Sequence, residues 1–160
     1  MVSFLLVAGP SFALEGAPLG TDCAAVPEIE AKRGAELIGS LPKDGEPKSI
    51  FFKRHIRDVE ATISYWCDGG TVRQQQGSVK LSNEEEAERF FSEQRAWLVE
   101  RFGPPESDQL DPDNPRLREI QAALDSVLKR LAYWITPNGA FVLMITLESE
   151  ESWGVELLHN

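Results

Sequence analysis

Cys23 and Cys67 are the only thiols in this chain, and His55 and His159 are its only imidazoles. A thiolate beside an imidazole makes a nucleophile, so a catalytic cysteine served by His55 or His159 is one chemistry the composition permits. No CxxC motif and no catalytic spacing supports it. An even cysteine count in an exported chain points instead to a Cys23–Cys67 disulfide. That bond closes a loop of about 44 residues and contributes on the order of 4 kcal/mol in the chain-entropy description.

The remaining candidates are oxygen ligands, carboxylates and one aromatic. Ser107-Asp108-Gln109-Leu110-Asp111-Pro112-Asp113-Asn114 offers side-chain oxygens to a hard cation. Counted from Asp108, however, Leu110 and Pro112 stand where ligands belong and Asp113 where a glycine is required. Only Glu119 falls in place, and Asp113 and Asn114 suit a helix start. The acidic clusters Glu84–Glu86 and Glu148–Glu151 could pair carboxylates for glycosidic chemistry, but both sit where solvated residues are expected. Two histidines are too few for a recognisable zinc site. Neither a GxSxG elbow nor a glycine-rich phosphate loop occurs. No metal or cofactor is expected. Trp66 falls on the outward parity of its strand, where an exposed indole can anchor a partner or stack on a sugar. With Gln74 and Gln76 on the following strand it forms the candidate partner-binding set.

Two patterns must position these groups. Val59, Ala61, Ile63, Tyr65 and Cys67 alternate with Glu60, Thr62, Ser64 and Trp66, a period-two strand with Cys67 inward and Trp66 outward. Asp68-Gly69-Gly70 turns it into a return strand, Thr71 to Leu81. Val72 and Val79 differ in parity, which predicts a bulge near Gly77 or a frayed end. Three glutamines, Gln74 to Gln76, suit a solvated or edge strand.

Ser82 to Pro105 then reads as one capped helix and its stop. Ser82 or Asn83 caps it, Glu84 to Glu86 and Glu88 complement its dipole, and Ala87, Phe90, Phe91, Trp97, Leu98 and Phe102 form one apolar face. Gly103 and Pro104-Pro105 end it. Asn114-Pro115 starts a second helix with the stripe Leu117, Ile120, Leu124, Val127, Leu128 and Leu131, which runs into a strand at Ala132 to Thr136. Pro137-Asn138-Gly139 turns the chain into an apolar strand, Ala140 to Leu147. After an acidic turn, Trp153, Val155 and Leu157 alternate in a last strand. Upstream, Glu28 to Ile38 has weak helical periodicity and Leu41 to Lys48 has turn chemistry. Trp97, Trp134 and Trp153 read as core.

These elements predict an α+β fold: an antiparallel sheet of about five strands with two helices packed on one face, in the order β-β-β-α-α-β-β-β. Residues 1–13 read as the rear of a secretory signal peptide whose charged front lies upstream, with Ser11-Phe12-Ala13 as a small-x-small cleavage site. Residues 14–47 form an arm with turns, and 48–160 a single domain. The apolar run is too short to span a bilayer. Sixteen Lys and Arg against 26 Asp and Glu leave a net charge of −10, which disfavours nucleic acid and anionic membranes.

The signal-like start, the paired cysteines, and the hairpin feeding a helix that ends at Phe102-Gly103-Pro104 resemble the arrangement of small exported bacterial α+β proteins. That resemblance carries no site residues. The expected function is a non-catalytic binding or cell-envelope accessory module, periplasmic or extracellular. It would take an unknown protein or small ligand as partner, with self-association through an edge strand also open. The alternative is a small secreted hydrolase with a carboxylate- or His-based site.

Overall fold

The strand with the strictest alternation, β3 (Val59–Asp68), lies third in a seven-stranded antiparallel sheet of order β1-β2-β3-β4-β7-β6-β5. The computed structural model describes residues 16–42, 45–56, 58–108, 113, 115–123 and 127–160. The expected signal peptide, residues 1–13, lies outside them. The other strands are β1 (Glu36–Leu41), β2 (Ser49–Ile56), β4 (Thr71–Leu81), β5 (Val127–Thr136), β6 (Gly139–Ser149) and β7 (Ser152–His159). The helices are α1 (Val26–Ala31), α2 (Glu84–Phe102) and α3 (Pro115–Ala123), and one 3-10 turn spans Cys23–Ala25.

The expectation of about five strands with two helices on one face is overturned. The largest correction falls on the 115–131 stripe. Its helix ends at Ala123, and Val127, Leu128 and Leu131 belong to β5 instead; Leu124 lies outside the described residues. The register explains the misleading period. β5 carries a bulge at Lys129, so that Leu128 faces Thr146 and Leu131 faces Met144 on the same side of the sheet. One extra residue in a strand places positions three apart on one face, and that spacing imitates a helix.

Leu128, Leu131 and Met144 form a small cluster on which Ile120 of α3 packs. The main core lies on the other side of the sheet, beneath α2 and the N-terminal segment. The two helices α2 and α3 therefore lie on opposite faces. The second correction concerns Glu36 to Ile38, which leave the expected 28–38 helix for edge strand β1. Gly34, at φ 76°, ends the helical turn after Ala31.

β3 and β4 turn through Gly69 and Gly70, whose φ values of 56° and 75° are what a two-residue hairpin loop with the twist of its strands requires. A bulge is present in β4, at Arg73 rather than near Gly77. Cys67 pairs with Val72 and Trp66 with Gln74. This shift brings Val72 and Val79 onto one buried face.

In α2, Asn83 is the capping residue, its Oδ1 accepting the Glu86 N–H at 2.9 Å. Gly103 closes the other end at φ 79°, and its carbonyl accepts the Trp134 indole N–H at 3.0 Å. Ala87, Phe91, Trp97 and Leu98 are buried against the sheet, as is Gln94, the residue that interrupts the stripe. Arg130 of β5 ion-pairs with Glu88 and lies over the Phe91 ring, which fastens the first half of the helix. Of the other tryptophans, Trp134 is buried and Trp153 partly so.

Two devices hold the N-terminal segment to the core. Residues 20–23 hydrogen-bond to Gly70 and Val72, along the flank of β4 beyond the point where β7 ends. There Cys23 and Cys67 form a disulfide. The second device is the Tyr65 hydroxyl. It donates to Glu30 Oε1 at 2.5 Å and accepts from the Ala17 N–H at 3.0 Å and the Gln75 amide at 3.2 Å. Glu30, Tyr65 and Gln75 are all buried. Gly16 passes so close that a Cβ there would stand 1.8 Å from the Tyr65 oxygen. Burial, then the charge and hydrogen bond of Glu30, push the Tyr65 phenol well above its ordinary range, so it remains a donor at all physiological pH.

Replacing both cysteines by serine should lower stability by about 4 kcal/mol, the closure entropy of the loop, in urea-melting midpoints taken without reductant. Tyr65→Phe removes the donor from a buried carboxyl group and should cost roughly 3 kcal/mol in the same assay; an unchanged midpoint would show that water replaces the hydroxyl there.

Candidate functional site

The side chains that alternate away from the main core form the second face of the sheet. α3 covers it only toward β5 and β6. Over β2, β3 and β4 none of the described helices covers it. Trp66 and Gln74 are cross-strand partners there, and Gln76 stands opposite Ser64 on the same face. The three residues singled out from sequence thus share one shallow concavity with Ser49, Phe51 and Ser64. Trp66 is 59 % exposed, large for an indole on a regular strand. Leu41 of β1 stands beyond Ser49 in the same cross-strand row and is also exposed.

β4 is not an edge, contrary to the reading of its glutamines. It is flanked by β3 and β7; the outermost strands are β1 and β5, and the outer side of β5 is bonded at Tyr133 by Glu106 and Ser107. Its glutamines play different parts by parity. Gln75 points inward to Tyr65, whereas the Gln76 amide donates to Glu156 Oε2 at 2.8 Å. Burial raises the Glu156 carboxyl above its ordinary range; the Gln76 bond opposes this, and the charge of Glu148 adds to it.

The groups considered for catalysis are not assembled. Cys23 and Cys67 are bonded to each other. His55 pairs with Glu60 on the open face, while His159 pairs with Gln75 and Phe141 on the core face. In the acidic loop, Asp108 is engaged by Arg95 at 2.7 Å and Asp113 by Arg118 at 3.5 Å; residues 109–112 and 114 lie outside the described residues. Among the described residues, no three His, Cys, Asp or Glu side chains gather as a metal site. Glu84 to Glu86 form the exposed first turn of α2, and Glu148 pairs with Lys80 at 2.8 Å. No helix among the described residues is long and apolar enough to cross a membrane.

Sequence reasoning missed a second concavity, on the core face. The end of α2, strands β4, β6 and β7, and the N-terminal segment leave a cleft of about 390 Å³ between them, lined by Leu19, Trp97, Arg101, Phe102, Phe141 and His159 among others. Three of its rings are stacked, Phe102 on Phe141 at 4.6 Å and Phe141 on His159 at 4.0 Å between centroids. The Asn138 carbonyl lies 3.2 Å from His159 Nε2. No sequence signal marks this cleft, because its residues come from five separate segments.

No family model, no curated protein and no solved structure matches the chain.

Burial holds the His159 imidazole below its ordinary value, against the Asn138 carbonyl, which favours the charged form. A histidine with a lowered folded-state pKa binds fewer protons folded than unfolded. Its contribution to stability is therefore whole above about pH 6.5 and is lost as pH falls through the folded pKa. His159→Phe, which keeps the ring stack, should flatten the loss of stability between pH 7 and pH 5 in urea melts, and the His159 ring proton resonances should titrate below pH 6.5.

Proposed function

We propose that this chain is an exported, non-catalytic binding protein that holds a partner protein on the open half of its sheet around Trp66. The observation that carries the reading is the exposure of Trp66 on a regular strand, between hydroxyl and amide side chains and in one cross-strand row with exposed Leu41. Burying an indole normally lowers the free energy of a fold. One left in water on a rigid strand is costly to solubility and suits an interface anchor, since tryptophan is the residue most enriched at binding hot spots. The concavity is too shallow to enclose a small molecule, and beyond its Ser49 the cross-strand row ends at exposed Leu41 on the outer strand β1. An unpaired edge beside an apolar patch is a surface to which another chain can add. The Cys23–Cys67 bond supports an oxidising compartment, and with it the export reading of residues 1–13.

Trp66→Ala should leave the urea midpoint within about 0.5 kcal/mol of wild type, because the side chain is exposed. It should abolish crosslinking of a photoreactive residue at position 74 to a native partner in intact cells. Equal crosslinking by both proteins would overturn the reading. Alkylation of the natively expressed protein without reductant, followed by intact mass, tests export: a processed species with no alkyl groups is expected, and an unprocessed one with two would refute it.

A further inference from the structure

We propose that the cleft on the core face binds a small arylalkanoic acid, with its ring against the aromatic wall and its carboxylate on Arg101. This site is separate from the open face around Trp66 and does not depend on the reading given for that face.

Three observations carry the proposal. The first is size and surface: about 390 Å³, walled by Trp97, Phe102, Phe141 and His159, falls within the roughly 300–1,000 Å³ of small-molecule sites and has their mixture of ring faces and few polar groups. The second is charge. The chain carries −10 overall, yet among the described residues no Asp or Glu lines the cleft, and Arg101 does. The third is placement. The Arg101 guanidinium lies 4.1 Å from the centre of the Trp97 ring, and no carboxylate ion-pairs with it among the described residues. Its position over the indole holds the guanidinium at the cleft, and a planar fork of N–H donors matches a carboxylate bidentately. A guanidinium held over a ring, beside an apolar wall and without a protein anion, is complementary to a ligand that brings both an anion and a ring. The rigidity of the wall adds to this. Phe141 and Trp97 are almost fully buried, and the His159 ring is held from the other side by its stack and by the Asn138 carbonyl.

The test uses 3-phenylpropanoate and its neutral analogue 3-phenylpropanamide, titrated into the ¹⁵N-labelled protein at about 0.15 M salt, where long-range repulsion is screened. The acid should shift the Trp97 indole N–H resonance saturably and leave that of Trp66 in place. The amide should bind about tenfold more weakly, the loss of one charge-assisted contact. Arg101→Met should weaken the acid by about the same factor and leave the amide unchanged. The proposal fails if the acid produces no saturable shift up to about 10 mM, if the shifts centre on Trp66, or if acid and amide bind alike. The last comparison is made on the unaltered protein, so it decides the matter even where the Arg101 variant is poorly folded.

Discussion

The pairing of β4 with β7 is the contact on which the rest of the molecule depends. It joins residues about eighty positions apart, from Gln75 opposite His159 to Leu81 opposite Trp153. Without it the chain would be two separate antiparallel meanders, β1 to β4 and β5 to β7. A long-range pairing of this kind carries a large closure entropy before it returns any contact. The burial on either side offsets it: Val79 against Val155 and Gly77 against Leu157 lie in the main core, while Gln76 reaches Glu156 on the opposite face.

That seam also decides what each face of the sheet can do. On the core face it brings the end of β7 beside β4, just where α2 ends, and the cleft is the space left between them and the N-terminal segment. β7 stops at the level of Gln75, and residues 20–23 continue along the same flank of β4. The disulfide and the Tyr65 hydroxyl then keep that segment over the core. Close approach is part of the arrangement. At Gly16 a Cβ would meet the Tyr65 oxygen, and at Gly139, with φ 128°, it would meet the carbonyl of Asn160.

The second face is divided. Toward β5 and β6, Leu128, Leu131 and Met144 are covered by Ile120. Toward β2 and β3 the outward positions are mostly polar or charged (Ser49, Lys53, Glu60, Thr62, Ser64), and Lys53 and Glu60 form an ion pair at 3.2 Å. Phe51 and Trp66 are the apolar members of that set, and of the two Trp66 is the exposed one. Its exposure is therefore not a by-product of a generally apolar face, which is the physical reason for the reading proposed for it.

Local signals were legible where the physics is local. The β3 alternation, the Gly69-Gly70 turn and the Gly103 stop depend only on residues a few positions apart, and each lies where the sequence places it; of the two caps the sequence offers, Ser82 and Asn83, the second is used. The outward parity of Trp66 was readable for the same reason; the Cys23–Cys67 pairing, 44 residues apart, was readable only because the chain has two cysteines. Three features were decided only by tertiary structure. The bulges at Arg73 and Lys129 set which residues share a face, and the second of them turned an apparent helical stripe into an edge strand. The place of β4 inside the sheet, against the polarity of its glutamines, follows from β7 and the N-terminal segment pairing along its free flank. The cleft of Arg101, Trp97, Phe141 and His159 draws on segments that no sequence period connects. A residue's own chain neighbours determine its local conformation, but which flank of a strand is covered, and which ring meets which cation, is determined by contacts whose energy exists only once the two meanders have joined.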